Sequence, residues 1–175
     1  MTKRGSDSES IIRTKVIRPP VRSVIHRLRL YDRLDNGTTH KLTVISAPAG
    51  YGKTTLVSSW LEKRSLDYCW LSLGRLDSSA QRVMTYLEAA LDRLQQRESP
   101  PGPNRWVAFL NGLAERRRDT VVILDDYHLA ESGEVNDLVM LLLEHLPPTA
   151  HLVLITRIDP ALQLAKLRGQ GELVE

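Results

Sequence analysis

A single cysteine, no long apolar run and no metal-binding spacing leave few chemistries open to this 175-residue chain. Cys69 has no second cysteine to pair with, so an internal disulfide is excluded. Its place in the apolar run from Asp67 to Leu73 marks it as a buried thiol rather than a reactive one. The longest apolar stretch, Leu138–Leu143, is far too short to span a bilayer. Residues 1–10 are polar and charged, without the apolar core of a secretory signal. These absences point to a cytoplasmic protein with no membrane partner. The histidines form no i, i+4 pair and no Cys/His spacing, so zinc is not expected. No nucleophile elbow introduces a Ser/His/Asp order. Repeats and low-complexity segments are also missing.

Charge is present but uneven. Nine Lys/Arg stand against three Asp/Glu within residues 1–33, and Arg116–Arg118 form a short basic run. No helix-turn-helix, zinc-finger or RNA-binding pattern accompanies them, so they read as a solvated tail and an exposed helix end. Direct DNA contact by this segment is not expected.

At 42% apolar and 26% charged residues, the composition is that of one soluble globular domain. Strands and helices alternate, which predicts a parallel sheet covered on both faces. The expected strands are Lys41–Ala47, Tyr68–Leu73, Thr120–Leu124 and His151–Thr156, with another beginning at Glu172–Glu175. The expected helices are Lys53–Lys63, Ser79–Gln96, Arg105–Arg117 and Glu134–Leu146, the last stopped by Pro147-Pro148. A short helix is expected over Leu162–Leu167, and Glu98–Asn104, rich in proline, is a loop. A strand starting at the last residues implies either a native protein that continues or a truncated product.

The first strand runs into Ala47-Pro48-Ala49-Gly50-Tyr51-Gly52-Lys53-Thr54-Thr55. This fits G-x-x-x-x-G-K-[ST], with Ala47 in place of the first glycine. Backbone N–H groups of a tight loop opening onto a helix N-terminus satisfy closely spaced phosphate charges without steric bulk. Ala49, Gly50, Tyr51, Gly52 and Thr55 supply the cradle. Lys53 reaches the β- and γ-phosphates and carries part of the catalytic charge, and the Thr54 hydroxyl ligates Mg²⁺. The ligand expected is a nucleotide, ATP or ADP, with Mg²⁺.

The strand Val121-Val122-Ile123-Leu124 ends in Asp125-Asp126, about seventy residues after the phosphate loop. A carboxylate at a buried strand end stands beside the metal, and Mg²⁺ takes few protein ligands, so Asp125 is the second metal residue. Asp126 either polarises the attacking water as general base or orients the site. Arg157, closing the next strand, either contacts the γ-phosphate or is an exposed arginine.

Ser46-Ala47-Pro48-Ala49-Gly50-Tyr51-Gly52-Lys53-Thr54-Thr55, Trp70-Leu71-Ser72-Leu73 and Leu124-Asp125-Asp126-Tyr127-His128 closely resemble the large ATP-binding LuxR-family regulators. So do Leu146-Pro147-Pro148 and Leu154-Ile155-Thr156-Arg157. This MalT-like group belongs to the STAND ATPases. The resemblance runs from Thr14 to Glu175, leaving 1–13 as a polar tail. It implies a three-layer α/β P-loop NTPase fold, cut short on its C-terminal side. It also implies that Val24 and Ile25, with His26 and Arg27, help hold the adenine, and that Arg157 senses the γ-phosphate. Family members are ATP/ADP switches, so the resemblance implies slow, regulatory hydrolysis and self-association in the ATP state. Two other readings remain open from sequence: a nucleotide-bound interaction module that does not hydrolyse, and a small-molecule kinase, for which no lid or acceptor pocket is visible.

Overall fold

Side chains alternate along every inner strand, and both faces of each strand are apolar. That pattern can be buried only between two layers of helices. The computed structural model of the chain describes residues 11–21, 27–96, 104–116 and 118–175. In chain order these give α1 (Leu28–Gly37), β1 (Leu42–Ser46), α2 (Lys53–Arg64), β2 (Asp67–Ser72), α3 (Ala80–Gln95) and α4 (Arg105–Ala114). There follow β3 (Thr120–Asp125), α5 (Gly133–His145), β4 (Ala150–Thr156), α6 (Ala165–Gly169) and β5 (Leu173–Val174). The five strands are parallel, in the order β2-β3-β4-β1-β5. This is the three-layer α/β P-loop NTPase fold expected from sequence.

One layer packs Cys69, Leu71, Val122, Leu124, Leu152 and Leu154 against α3, α4 and α5. The other packs Trp70, Val121, Ile123, Val153 and Ile155 against α1 and α2. Cys69 is fully buried, and desolvation pushes its thiol up to about 12, so it is inert. Ser79 and Ser132 cap α3 and α5 by accepting from Arg82 N–H at 3.3 Å and Val135 N–H at 3.2 Å. The last residue of α5 is His145, and Leu146 turns extended before Pro147, as the proline requires.

Three details differ from expectation. α1 was not foreseen as a helix. It docks on α2 through a Tyr31 hydroxyl bond to Ser59 Oγ (2.6 Å) and a Trp60 indole bond to Asp35 (2.7 Å). α4 stops at Ala114 rather than Arg117, and Arg116 is not solvated. Its guanidinium binds the Asp67 carboxylate and donates to Thr120 Oγ1 at 3.0 Å, tying the loop to β2 and β3. The final short helix is Ala165–Gly169, three residues later than its sequence signal. Residues ahead of α1 also contribute. A 3₁₀ turn, Arg13–Val16, buries Val16 in the core, and Lys15 pairs with the fully buried Asp77. Burial alone would raise the Asp77 carboxyl. Hydrogen bonds from Lys15, Arg82 and the Gly74 N–H outweigh it and hold the group below its ordinary value.

The register brings the strand ends together. Ser46 pairs with Thr156, and Ser72 with Asp125. The loops that follow β1, β3 and β4 therefore meet at one end of the sheet. Because β4 lies between β1 and β3, Arg157 emerges between the phosphate loop and the acid pair.

Candidate functional site

The loop from Ala47 to Gly52 leaves β1 and enters α2 directly. Gly50 and Gly52 have φ of 84° and 76°, the left-handed region that side chains with a Cβ rarely occupy. A Cβ built on either glycine would meet nothing within 4 Å, so both are required by backbone conformation and not by crowding. Ala49, Gly50, Tyr51, Gly52 and Thr55 are exposed, and the Tyr51 side chain is among the most exposed large apolar groups.

Lys53 is the first residue of α2. Its ammonium donates back to the carbonyls of Ala47 and Pro48, the latter at 3.0 Å. One residue on, Thr54 Oγ1 donates to Asp125 Oδ1 at 2.9 Å, spanning 71 positions of sequence. The two residues expected at the metal are thus in contact. Asp125 is buried, and desolvation pushes its carboxyl up to about 6. The Thr54 hydrogen bond works against that shift, while the neighbouring Asp126 charge reinforces it. A hydroxyl and a carboxylate, both hard oxygen donors, suit Mg²⁺.

Asp126 lies in the left-handed region (φ 55°, ψ 38°), unusual for a residue with a Cβ. It opens a 3₁₀ turn, Tyr127–Leu129, whose Leu129 N–H donates to the Asp126 carbonyl. The half-exposed Arg157 lies beside it, with Nε 3.8 Å from Asp126 Oδ1. Lys53, Thr54, Asp125, Asp126 and Arg157 therefore share one end of the sheet. Val24, Ile25 and His26 fall outside the described residues.

Sequence reasoning passed over several groups here. Desolvation lowers the His128 pKa, the charges of Arg157 and Lys53 act in the same sense, and Asp126 and Glu131 oppose them. Among the described residues its Nδ1 is buried without a hydrogen-bond partner. Tyr127 is fully buried, and its hydroxyl donates to Asn136 Oδ1 at 2.6 Å. Thr156, also buried, donates to the Ile158 carbonyl at 2.7 Å. Tyr127 stands in sequence within the Leu124–His128 motif, which by itself gives its hydroxyl no role, and Asn136 reads as a polar residue on α5 with no signal of its own.

Among solved structures, the fold is similar to Cdc6p from Pyrobaculum aerophilum (TM-score 0.58, 18% identity, 90% of this chain and 46% of that one). The Aeropyrum pernix ORC1 protein, solved in complex with DNA, is similar at a TM-score of 0.57 and 16% identity, covering 88% and 45%. At these identities the likeness is one of fold. The family model described as the viral superfamily 1 RNA helicase core domain matches residues 43–146, from β1 through the phosphate loop and acid pair to the end of α5. The chain belongs to this family. It is also 31% identical, over 178 aligned positions, to the HTH-type transcriptional regulator MalT of Klebsiella pneumoniae, and 32% to that of Serratia proteamaculans. Each alignment covers 94% of this chain and 20% of the relative, so the chain spans about a fifth of those regulators. The homology and the P-loop architecture together make this MalT-like chain a nucleotide-binding domain. None of its described helices is long and apolar enough to cross a membrane.

Proposed function

We propose that this domain binds Mg-ATP and hydrolyses it slowly, as the switch of a MalT-like transcriptional regulator in the cytoplasm. ATP against ADP would set its conformation and its self-association, with DNA contacts made by other parts of such a regulator. The observation that carries the reading is the Thr54–Asp125 hydrogen bond at 2.9 Å, which joins the phosphate loop to the acid strand end. Thr54 and Asp125 are the residues that would hold Mg²⁺, and the ion supplies charge neutralisation on the phosphates when bound. Lys53 would turn its ammonium from the loop carbonyls to the β- and γ-phosphate oxygens. Backbone N–H groups of Gly50 and Gly52 line the same cradle. Asp126 would accept a proton from the attacking water at a carboxylate oxygen, and Arg157 would leave that carboxylate for the γ-phosphate. An arginine from a neighbouring subunit adds on the order of 10³–10⁵ in rate in related chemistry. A domain acting alone is therefore expected to be a slow enzyme.

Calorimetry on Lys53→Ala tests the reading. The variant should stay folded, since Lys53 is partly exposed, and should lose ATP binding because the remaining loop groups are neutral amides. A folded variant with wild-type ATP affinity would rule out this site.

A further inference from the structure

Arg157 stands at the start of an exposed loop, yet the backbone on both sides of it is fastened. On one side, the buried Thr156 hydroxyl donates to the carbonyl of Ile158 at 2.7 Å. On the other, both main-chain groups of Ala161 are taken by side chains. Its N–H donates to Glu131 Oε1 at 2.6 Å, and its carbonyl accepts from Asn136 Nδ2 at 3.3 Å. Surface loops can satisfy their backbone groups with water, so two side chains spent on one residue fix its position rather than meet a need for partners.

The fastening leads back to the acid motif. Asn136 Nδ2 faces the Ala161 carbonyl, the side of the amide that can donate. Asn136 Oδ1 is then left to accept from the Tyr127 hydroxyl at 2.6 Å. Tyr127 immediately follows Asp126, whose carboxylate faces Arg157. A short path thus runs from Asp126 through Tyr127, Asn136 and Ala161 to the loop that carries Arg157. The Tyr127 ring is fully buried, so phenylalanine would fill the same space and lose only the hydroxyl bond.

We propose that Tyr127 and Asn136 are positioning residues that hold the Arg157 loop in register with Asp126, and thereby set the preference of the site for a nucleoside triphosphate over a diphosphate. The proposal rests on the reading of Arg157 as the γ-phosphate contact. ATP and ADP affinities are measured by calorimetry with Mg²⁺ for wild type, Tyr127→Phe, Asn136→Asp, Arg157→Ala and the Tyr127→Phe/Arg157→Ala double variant. Asn136→Asp keeps the acceptor for Tyr127 and removes the donor to Ala161. Tyr127→Phe and Asn136→Asp should leave ADP affinity within about twofold. Each should lower the ATP-over-ADP ratio by about three- to tenfold, the worth of one hydrogen bond. Arg157→Ala should lower the ratio at least as far as either positioning variant, and the double variant should match Arg157→Ala alone. Equal weakening of ATP and ADP by Tyr127→Phe, or a further fall of the ratio in the double variant, overturns the positioning role. A ratio changed by Arg157→Ala but by neither positioning variant overturns it too, and leaves the γ-phosphate reading standing. An unchanged ratio in Arg157→Ala overturns both.

Discussion

Asp125 is a carboxylate kept where ionisation is unfavourable. With the group only 4% exposed, desolvation raises its carboxyl from 3.8 to about 6, although Thr54 donates to it. The folded state therefore binds this proton more tightly than the unfolded chain. The resulting cost is absent below pH 4, grows between pH 4 and 6, and is complete above pH 6. Asp125→Asn can still accept from Thr54 and has no charge to desolvate. It should raise stability at pH 7 by on the order of 2–3 kcal/mol in chemical denaturation while weakening Mg²⁺-dependent ATP binding. A variant no more stable than wild type would show that the burial carries no such cost. At this scale the sequence was informative where partners share one motif. Lys53 and Thr54 announce themselves through spacing, and Asp125 through the apolar strand before it. Asn136 does not, since its meaning depends on Tyr127 and Ala161, which only the folded chain brings to it.

The phosphate loop and α2 form the element on which the site depends, and their junction is Gly52, with φ 76° and ψ 25°. A Cβ there would touch nothing within 4 Å, so Gly52→Ala isolates the conformational cost. That cost is about 1–2 kcal/mol for a residue with a Cβ in the left-handed region. Denaturation should register it as lost stability, and an unchanged midpoint would mean that the loop relaxes to another shape. Strands were legible because continuous apolar runs bounded by polar residues leave little choice. All five strands lie within a residue or so of their sequence signals. α1 escaped notice because its apolar residues are interspersed with charged ones over only ten positions, and Tyr31 and Leu34 find their burial against α2 only in the folded chain. Arg116 was misread for a related reason: in a basic run it looks solvated, and its partner Asp67 lies 49 residues away.

At the scale of the whole molecule, alternation of strands and helices announced a parallel sheet but not its order. Strand order is a matter of crossovers, and nothing local records that β4 inserts between β1 and β3. The two ends of this sheet also respond oppositely to acid. At the end away from the site, buried His151 is held neutral between the His40 carbonyl (2.6 Å) and Thr43 Oγ1 (3.0 Å), and desolvation lowers its pKa from 6.5 to about 4. Its contribution to stability is whole above pH 6.5 and is lost as pH falls toward 4, the reverse of Asp125. Between pH 6 and 4 the two contributions offset each other. Asp125→Asn should uncover the histidine, making stability fall with acidification more steeply than in wild type, by up to about 1.4 kcal/mol per pH unit. Parallel curves for the two proteins in denaturation at stepped pH would refute this. The partners seen at the site carry a thermodynamic consequence of their own. Lys53 holds the Ala47 and Pro48 carbonyls, Thr54 holds Asp125, and Arg157 lies beside Asp126. Nucleotide capture by these three side chains would then be an exchange reaction in which each gives up a partner for a new one. The heat released should be smaller than a tally of phosphate contacts suggests, and affinity will measure a difference between two sets of bonds.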